Sequence, residues 1–344
     1  MTGLEDPKRY GIGMRRARPS ERPAASGRRA AFAFATTFLL LGTAIGLTVD
    51  QVNPPPLLGG ATGAPMGREV NYTLTVEEIT LTQGDASWPA WTFNGQVPGP
   101  TLTAEVGDTL NVRVINNGTK VHSFHTHLTV YNFTMDGSQA NTISGKGTGA
   151  MIAPGAEYTY TFHLTEPGLF YYHCHSADGA HIQMHIRMGL YGAIVVRDPN
   201  QPVLREEVIF YAEAQPGAPA FYVINNRGIP GGEHALEAVY GEQGFAGVAA
   251  LLNVAVTAFF FKVGETVKLH LVNIGDIYHS HHGHGHSHVS TNLGGRPWVA
   301  NVVPLVPGAA DTLTVTFKEP GLWLFHCHVV SHADNGMIGL FIVE

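Results

Sequence analysis

Only two of the 344 residues are cysteine, and only 14% are charged. Two thiols cannot build a disulfide framework, and Cys174 and Cys327 stand in near-identical His-Cys-His settings that pairing with each other would waste. They read as thiolate ligands. Basic residues are scarce where a polyanion would need them: eight of the 20 Lys and Arg lie before residue 30 against three of the 27 acids, which leaves the remainder at 12 minus 24, or −12. That balance argues against nucleic acid as a partner. Methionine-rich inserts are absent too, and nothing suggests a long helical bundle. What abounds is glycine, at 41, and proline, at 21, the composition of a turn-rich, β-leaning chain long enough for two domains.

The N-terminus reads in three parts. Residues 1–29 form a basic arm, expected to stay cytoplasmic. Residues 30–49 carry no charge, and about 20 apolar residues suffice to cross a bilayer as a helix. "SGRRAAF" loosely resembles a twin-arginine export signal, yet no small-x-small cleavage site follows before "QVNPPPLL". The segment is therefore a transmembrane or signal helix that leaves the rest extracytoplasmic, membrane-anchored or secreted. A Pro/Gly-rich linker fills 50–66.

Beyond it the chain is written twice. "VGDTLNVRVINN", "VHSFHTH", "EPGLFYYHCH" and "GAIVV" are answered by "VGETVKLHLVNIG", "YHSHHGHGH", "EPGLWLFHCH" and "GLFIV". Cys174 and Cys327 stand 153 positions apart and Gly192 and Gly339 147, so the offset drifts only through small loop changes. Alternating stretches such as "YTYTFHL" and "TLTVTF" between Pro/Gly turns predict strands with one buried face. The fold class expected is all-β, two Greek-key β-sandwich domains over 67–199 and 200–344, joined at "RDPNQP".

Of the 19 histidines, all but His163, His234 and His270 fall in four short clusters. In a strand, residues i and i+2 face one way and i+1 the other. Each of His173-Cys174-His175 and His326-Cys327-His328 thus offers two imidazoles on one side and a thiolate on the opposite side. On the thiolate side of the second copy stand His279, His332 and Met337, the imidazole, thiolate and thioether set of a blue-copper centre. In the first copy His122 takes the place of His279, and the longer loop offers both His181 and His185; anchoring "GAIVV" on "GLFIV" favours His185 and puts Leu190, which cannot ligate, at the Met337 position.

With "FNGQVPGP" near the start, these motifs resemble the multicopper oxidases, in particular the two-domain, small laccase-like branch, from about Val70 to the C-terminus. The resemblance implies cupredoxin-like domains and copper: type 1 in each domain, plus a type 2/type 3 trinuclear cluster at a domain interface. His125 and His282 would then serve type 2 copper, and His127, His173, His175, His284, His326 and His328 the type 3 pair. It also implies dioxygen and a small reducing substrate as partners, the latter expected at an exposed edge of His332 or His185. A homotrimer with intersubunit clusters follows by the same likeness. Tyr131 and Asp136 fit a tyrosine and a proton-relaying carboxylate beside the cluster, and are the candidate catalytic residues. The small laccases lack the thiolate of the first domain, so this chain departs from them.

Two rivals stand. Copper nitrite reductases share the two-domain trimeric plan, but their second domain lacks a His-Cys-His and their first-domain histidines are spaced differently from "HSFH" here. A non-catalytic copper-binding protein is suggested by "HSHHGHGHSH", in which His281, His286 and His288 are extra.

Overall fold

The computed structural model describes residues 67–139, 151–179, 181–290 and 297–344. The expected arm, apolar segment and linker, residues 1–66, lie outside them. Among the described residues no helix is long and apolar enough to cross a membrane.

Alternation decides the layers. In the first half, β2 (Ala86–Phe93), β1 (Glu69–Gln83), β4 (Thr109–Asn116) and β6 (Glu157–His163) form one sheet in that order. It faces a second sheet of β3 (Leu102–Glu105), β8 (Tyr191–Arg197), β7 (Gly168–His173) and β5 (His125–Thr126). Every second residue of β4, from Leu110 to Val114, enters the core between them, where Phe124, Tyr160, Phe162 and Tyr172 are also fully enclosed. Burying one such large side chain contributes about 1.5–3 kcal/mol.

The second half repeats the plan. β10 (Tyr222–Ile224), β9 (Arg205–Glu213), β12 (Thr266–Asn273), β17 (Ala310–Thr316), β14 (His288–Ser290) and β15 (Trp298–Ala300) form one sheet. Opposite lie β11 (Thr257–Phe261), β19 (Ile338–Val343), β18 (Gly321–His326), β13 (His279–Gly283) and β16 (Val302–Leu305). The duplication holds to the register: β1 runs parallel to β4 as β9 does to β12, and His125 faces His173 as His282 faces His326.

Strands β8 and β19 are buried on both faces, and each has a reason. β8 turns Ile194 and Val196 into its own sandwich, while Tyr191 and Ala193 pack against Phe210 and Ala212 of the second half. β19 is covered by a helix, Gly232–Leu251, whose Val248 is buried with Ile338, Leu340 and Ile342. Strand alternation gave no warning of that helix, which breaks at Gly244 (φ 63°) and shows no regular apolar stripe.

Candidate metal centres

The two thiols are fully buried, each at the end of the strand that carries the first histidine of its motif. Cys174 Sγ lies 3.6 Å from His122 Nδ1 and 3.3 Å from His185 Nδ1. Cys327 Sγ lies 3.9 Å from His279 Nδ1 and 3.7 Å from His332 Nδ1. Both sulfurs accept a backbone N–H at 3.4 Å, from Ser123 and Ser280, and the hydroxyls of those serines accept the N–H of His175 and His328 at 3.0 Å. The structure places the two candidates of the first loop differently. His185 faces the thiol from the short helix Ile182–Arg187, while His181 sits exposed at its start. Backbone bonds fix the equivalence: Cys174 N–H to Leu190 O and Leu190 N–H to His185 O are matched by Cys327 to Met337 and Met337 to His332. Met337 is fully buried in the core cluster that holds Cys327.

On the other side of each motif the flanking rings lie side by side, 5.7 Å apart for His173 and His175 and 5.8 Å for His326 and His328. They meet the His-x-His pairs at the ends of β5 and β13, whose second members, His127 and His284, directly follow the strands. His127 Nε2 approaches His173 Nε2 to 3.2 Å, and His284 Nε2 approaches His326 Nε2 to 3.1 Å. Ring nitrogens of His125, His127 and His173 gather in one group, and those of His282, His284 and His326 in another. His175 and His328 stand beside them, in ring contact with His125 and His282.

Hydrogen bonds assign the lone pairs. A carbonyl can only accept, so Nδ1 carries the proton where His125 meets Asp136 O (2.6 Å), His173 meets Cys174 O (3.0 Å), His282 meets Asn301 O (2.8 Å) and His326 meets Cys327 O (2.9 Å). Nε2 of each ring is then unprotonated, with its lone pair available toward the group. The sulfur centres use the opposite tautomer: His279 gives its Nε2–H to Glu213 (2.8 Å) and His185 gives its own to Asp178 O (3.3 Å), leaving Nδ1 for the thiol side. Burial, with neighbouring imidazoles, holds His122 and His127 down at about 4, and burial takes His173 to about 3. These rings are neutral at ordinary pH, as ligation requires.

Tyr131 and Asp136 do meet. The Tyr131 hydroxyl donates to Asp136 Oδ1 at 3.1 Å, Ser138 donates to the other oxygen, and Oδ1 lies 3.5 Å from His125 Nδ1. Burial and that hydrogen bond push Tyr131 up to about 12, so it stays a donor.

Two expectations need correction. His185 shows no exposed edge, being 0% exposed under Trp91 at 4.8 Å, and His332 keeps only 6%, with Tyr222 stacked on it at 4.0 Å. Those aromatics occupy matching edge-strand positions, opposite Glu78 and Glu213. His281 and His288 are not loop residues but lie in β13 and β14, fully buried, with His281 Nδ1 2.6 Å from the Tyr211 hydroxyl. The histidines read as ordinary are ordinary, His163 and His270 bonding to Thr109 and Thr312 and His234 standing exposed by Glu237.

Soft sulfur with imidazole suits copper, and the buried Cys174 thiol, pushed by burial to about 11, leaves a site that a cation would relieve. Two family profiles described as multicopper oxidase match residues 74–201 and 240–344. The chain belongs to the multicopper oxidase family. A multicopper oxidase of Mycobacterium tuberculosis is 28% identical over 273 residues, 69% of this chain and 51% of that protein. The copper-containing nitrite reductase of Neisseria meningitidis serogroup B is 30% identical over 287 residues, 78% of this chain and 67% of that one. Among solved structures, a multicopper oxidase superposes with a TM-score of 0.63 at 26% identity, covering 80% of this chain and 89% of its own. The copper nitrite reductase of Nitrosomonas europaea matches with a TM-score of 0.63 at 25% identity over 80% and 94%. This multicopper oxidase is thus a mostly β, cupredoxin-like, copper-dependent oxidoreductase.

Proposed function

We propose that the chain is a laccase-like oxidase, coupling one-electron oxidation of a phenolic or metal-ion reductant to the four-electron reduction of dioxygen to water. When bound, type 1 copper in each domain would supply one-electron exchange, and a type 2/type 3 cluster the site of dioxygen reduction. His122, Cys174 and His185 would hold the first type 1 ion, and His279, Cys327, His332 and Met337 the second. His125 and His282 would hold type 2 copper; His127, His173, His175, His284, His326 and His328 would hold the type 3 pair.

One observation carries this reading: in both halves a buried thiol is one residue from imidazoles that face away from it, with Nε2 free toward a separate group. Cys327 is thereby joined covalently to His326 and His328, a short through-bond link between sulfur and imidazole centres. Asp136 can hold a proton at Oδ1 or Oδ2 beside His125, with Tyr131 and Ser138 orienting it. Among the described residues no hydrogen bond or ring contact joins the first imidazole group to the second. We infer that they meet between copies, head to tail in a closed homotrimer, and that the apolar segment 30–49 leaves the domains outside the cytoplasm. Oxygen uptake by the copper-loaded chain with a phenol and, separately, with cuprous, ferrous and manganous salts tests the reaction; uptake at the buffer rate with all of them would refute it.

Nitrite reduction is the second reading, favoured by the likeness to the Neisseria and Nitrosomonas enzymes. The complete second imidazole group weighs against it. Nitrite consumption without oxygen, in the absence of phenol-driven uptake, would reverse the order.

A further inference from the structure

The two sulfur centres are equivalent in register but not in what lies behind them. Val76 of β1 faces Asn116, as Tyr211 of β9 faces Asn273, so Glu78 and Glu213, two residues on, are counterparts. The counterparts do different things. Glu213 is buried, takes the Asp276 backbone N–H at 2.8 Å and accepts the His279 Nε2–H at 2.8 Å. Glu78 is exposed, and its Oε1 is taken by the N–H and hydroxyl of Thr119 at 2.7 and 2.8 Å. His122 Nε2, the atom that corresponds to the one Glu213 binds, is buried without a partner.

We propose that Glu213 is a positioning residue for the second sulfur centre: acting through His279, it sets the reduction potential of the copper held there below that of the copper held by Cys174. Two physical effects run the same way. A carboxylate on the far nitrogen makes an imidazole a more basic ligand, which favours the more highly charged metal ion. Its own negative charge, out of solvent, stabilises cupric over cuprous charge more than an exposed carboxylate can. Met337 in place of Leu190 adds to the same asymmetry through a different atom, so the contribution of Glu213 has to be read by itself. This inference rests on the reading that both thiols hold copper.

The test uses the full copper-loaded chain carrying Cys174→Ser, so that one blue centre remains, with and without Glu213→Gln, which keeps the shape and an acceptor oxygen but removes the charge. The midpoint potential of the blue absorption is expected to rise by the equivalent of about tenfold in the cupric to cuprous preference, about 59 mV for one electron. Glu78→Gln on the Cys327→Ser chain is expected to move the remaining centre by much less, because that carboxylate is exposed and makes no hydrogen bond to His122. In the chain with both thiols, Glu213→Gln should move one of two titration waves, which keeps the test available if a thiol variant does not fold. An unmoved potential overturns the proposal, as does an equal shift from Glu78→Gln, or a loss of blue copper on Glu213→Gln that Glu213→Asp does not restore. Absence of blue absorption from both the folded Cys174→Ser chain and the chain with both thiols would instead sink the underlying reading of Cys327, and this proposal with it.

Discussion

Substituting Gly137 by alanine separates the stability of the first half from the positioning of its imidazole group. Gly137 sits at φ 66°, just after Asp136, and an added Cβ would lie 2.2 Å from Phe124 O and 2.7 Å from Phe124 C. Ordinary contact begins near 3.4 Å, so one side of the turn must retreat. Phe124 cannot readily do so, because its ring is fully buried against Tyr160 and Tyr172 and its N–H is bonded to the Tyr160 hydroxyl at 3.0 Å. The Asp136 turn moves instead, away from the 2.6 Å hydrogen bond that orients His125. Left-handed backbone at a non-glycine residue costs roughly 1–2 kcal/mol and overpacking about 1–3 more. Loss of an orienting partner weakens metal affinity about 10- to 100-fold. Gly84 is the control: its φ is 57°, but nothing lies within 4 Å of an added Cβ, so Gly84→Ala should cost only the backbone term. Thermal unfolding and the spin-resonance signal of type 2 copper, measured side by side, read both effects. A Gly137→Ala chain that unfolds with Gly84→Ala and keeps its full copper would refute the reasoning.

Asp136→Asn keeps the Tyr131 contact but cannot hold the proton in the same way; oxygen uptake should fall by about 100-fold or more with copper content unchanged, and a normal rate would remove Asp136 from the reaction. Glu206 is expected to contribute to acid stability. Burial opposes its charge, but His270 at 3.7 Å and Arg197 at 2.7 Å outweigh that and hold it at about 2. Because this lies below the unfolded value, its stabilisation is present above the usual carboxylate range and is lost as pH falls toward 2. Glu206→Gln should therefore flatten the unfolding temperature against pH over that interval and cost about 3–5 kcal/mol at neutral pH; an unchanged profile would contradict the assignment.

The juxtaposition of His122, Cys174 and His185 was legible because a strand puts i+1 opposite i and i+2, and because two copies of one pattern could be laid on each other. The same overlay holds Ser123 and Ser280, each directly after a type 1 candidate, which a closer comparison of "HSFH" with "HSHH" could have marked. Glu213 carried no such signal. Its strand reads "REEVIFYAE" where the first half has a long, partly exposed β1, and only the pairing of Tyr211 with Asn273 and of Glu213 with Tyr222 shows that it matches Glu78. The covering of His185 and His332 was equally hidden, since Trp91 and Tyr222 come from edge strands far away in sequence. The helix Gly232–Leu251 escaped because its two segments, broken at Gly244, do not present one periodic apolar face.

The claim on which the account turns is that each buried thiol serves one copper while the imidazoles behind it serve others. Copper counting on the purified, fully loaded chain, with absorption and spin-resonance spectra on the same sample, tests it most directly. The expected result is one blue copper for each of Cys174 and Cys327 and three more ions for the eight cluster imidazoles. One blue and one other copper per chain, with no coupled pair, would contradict it.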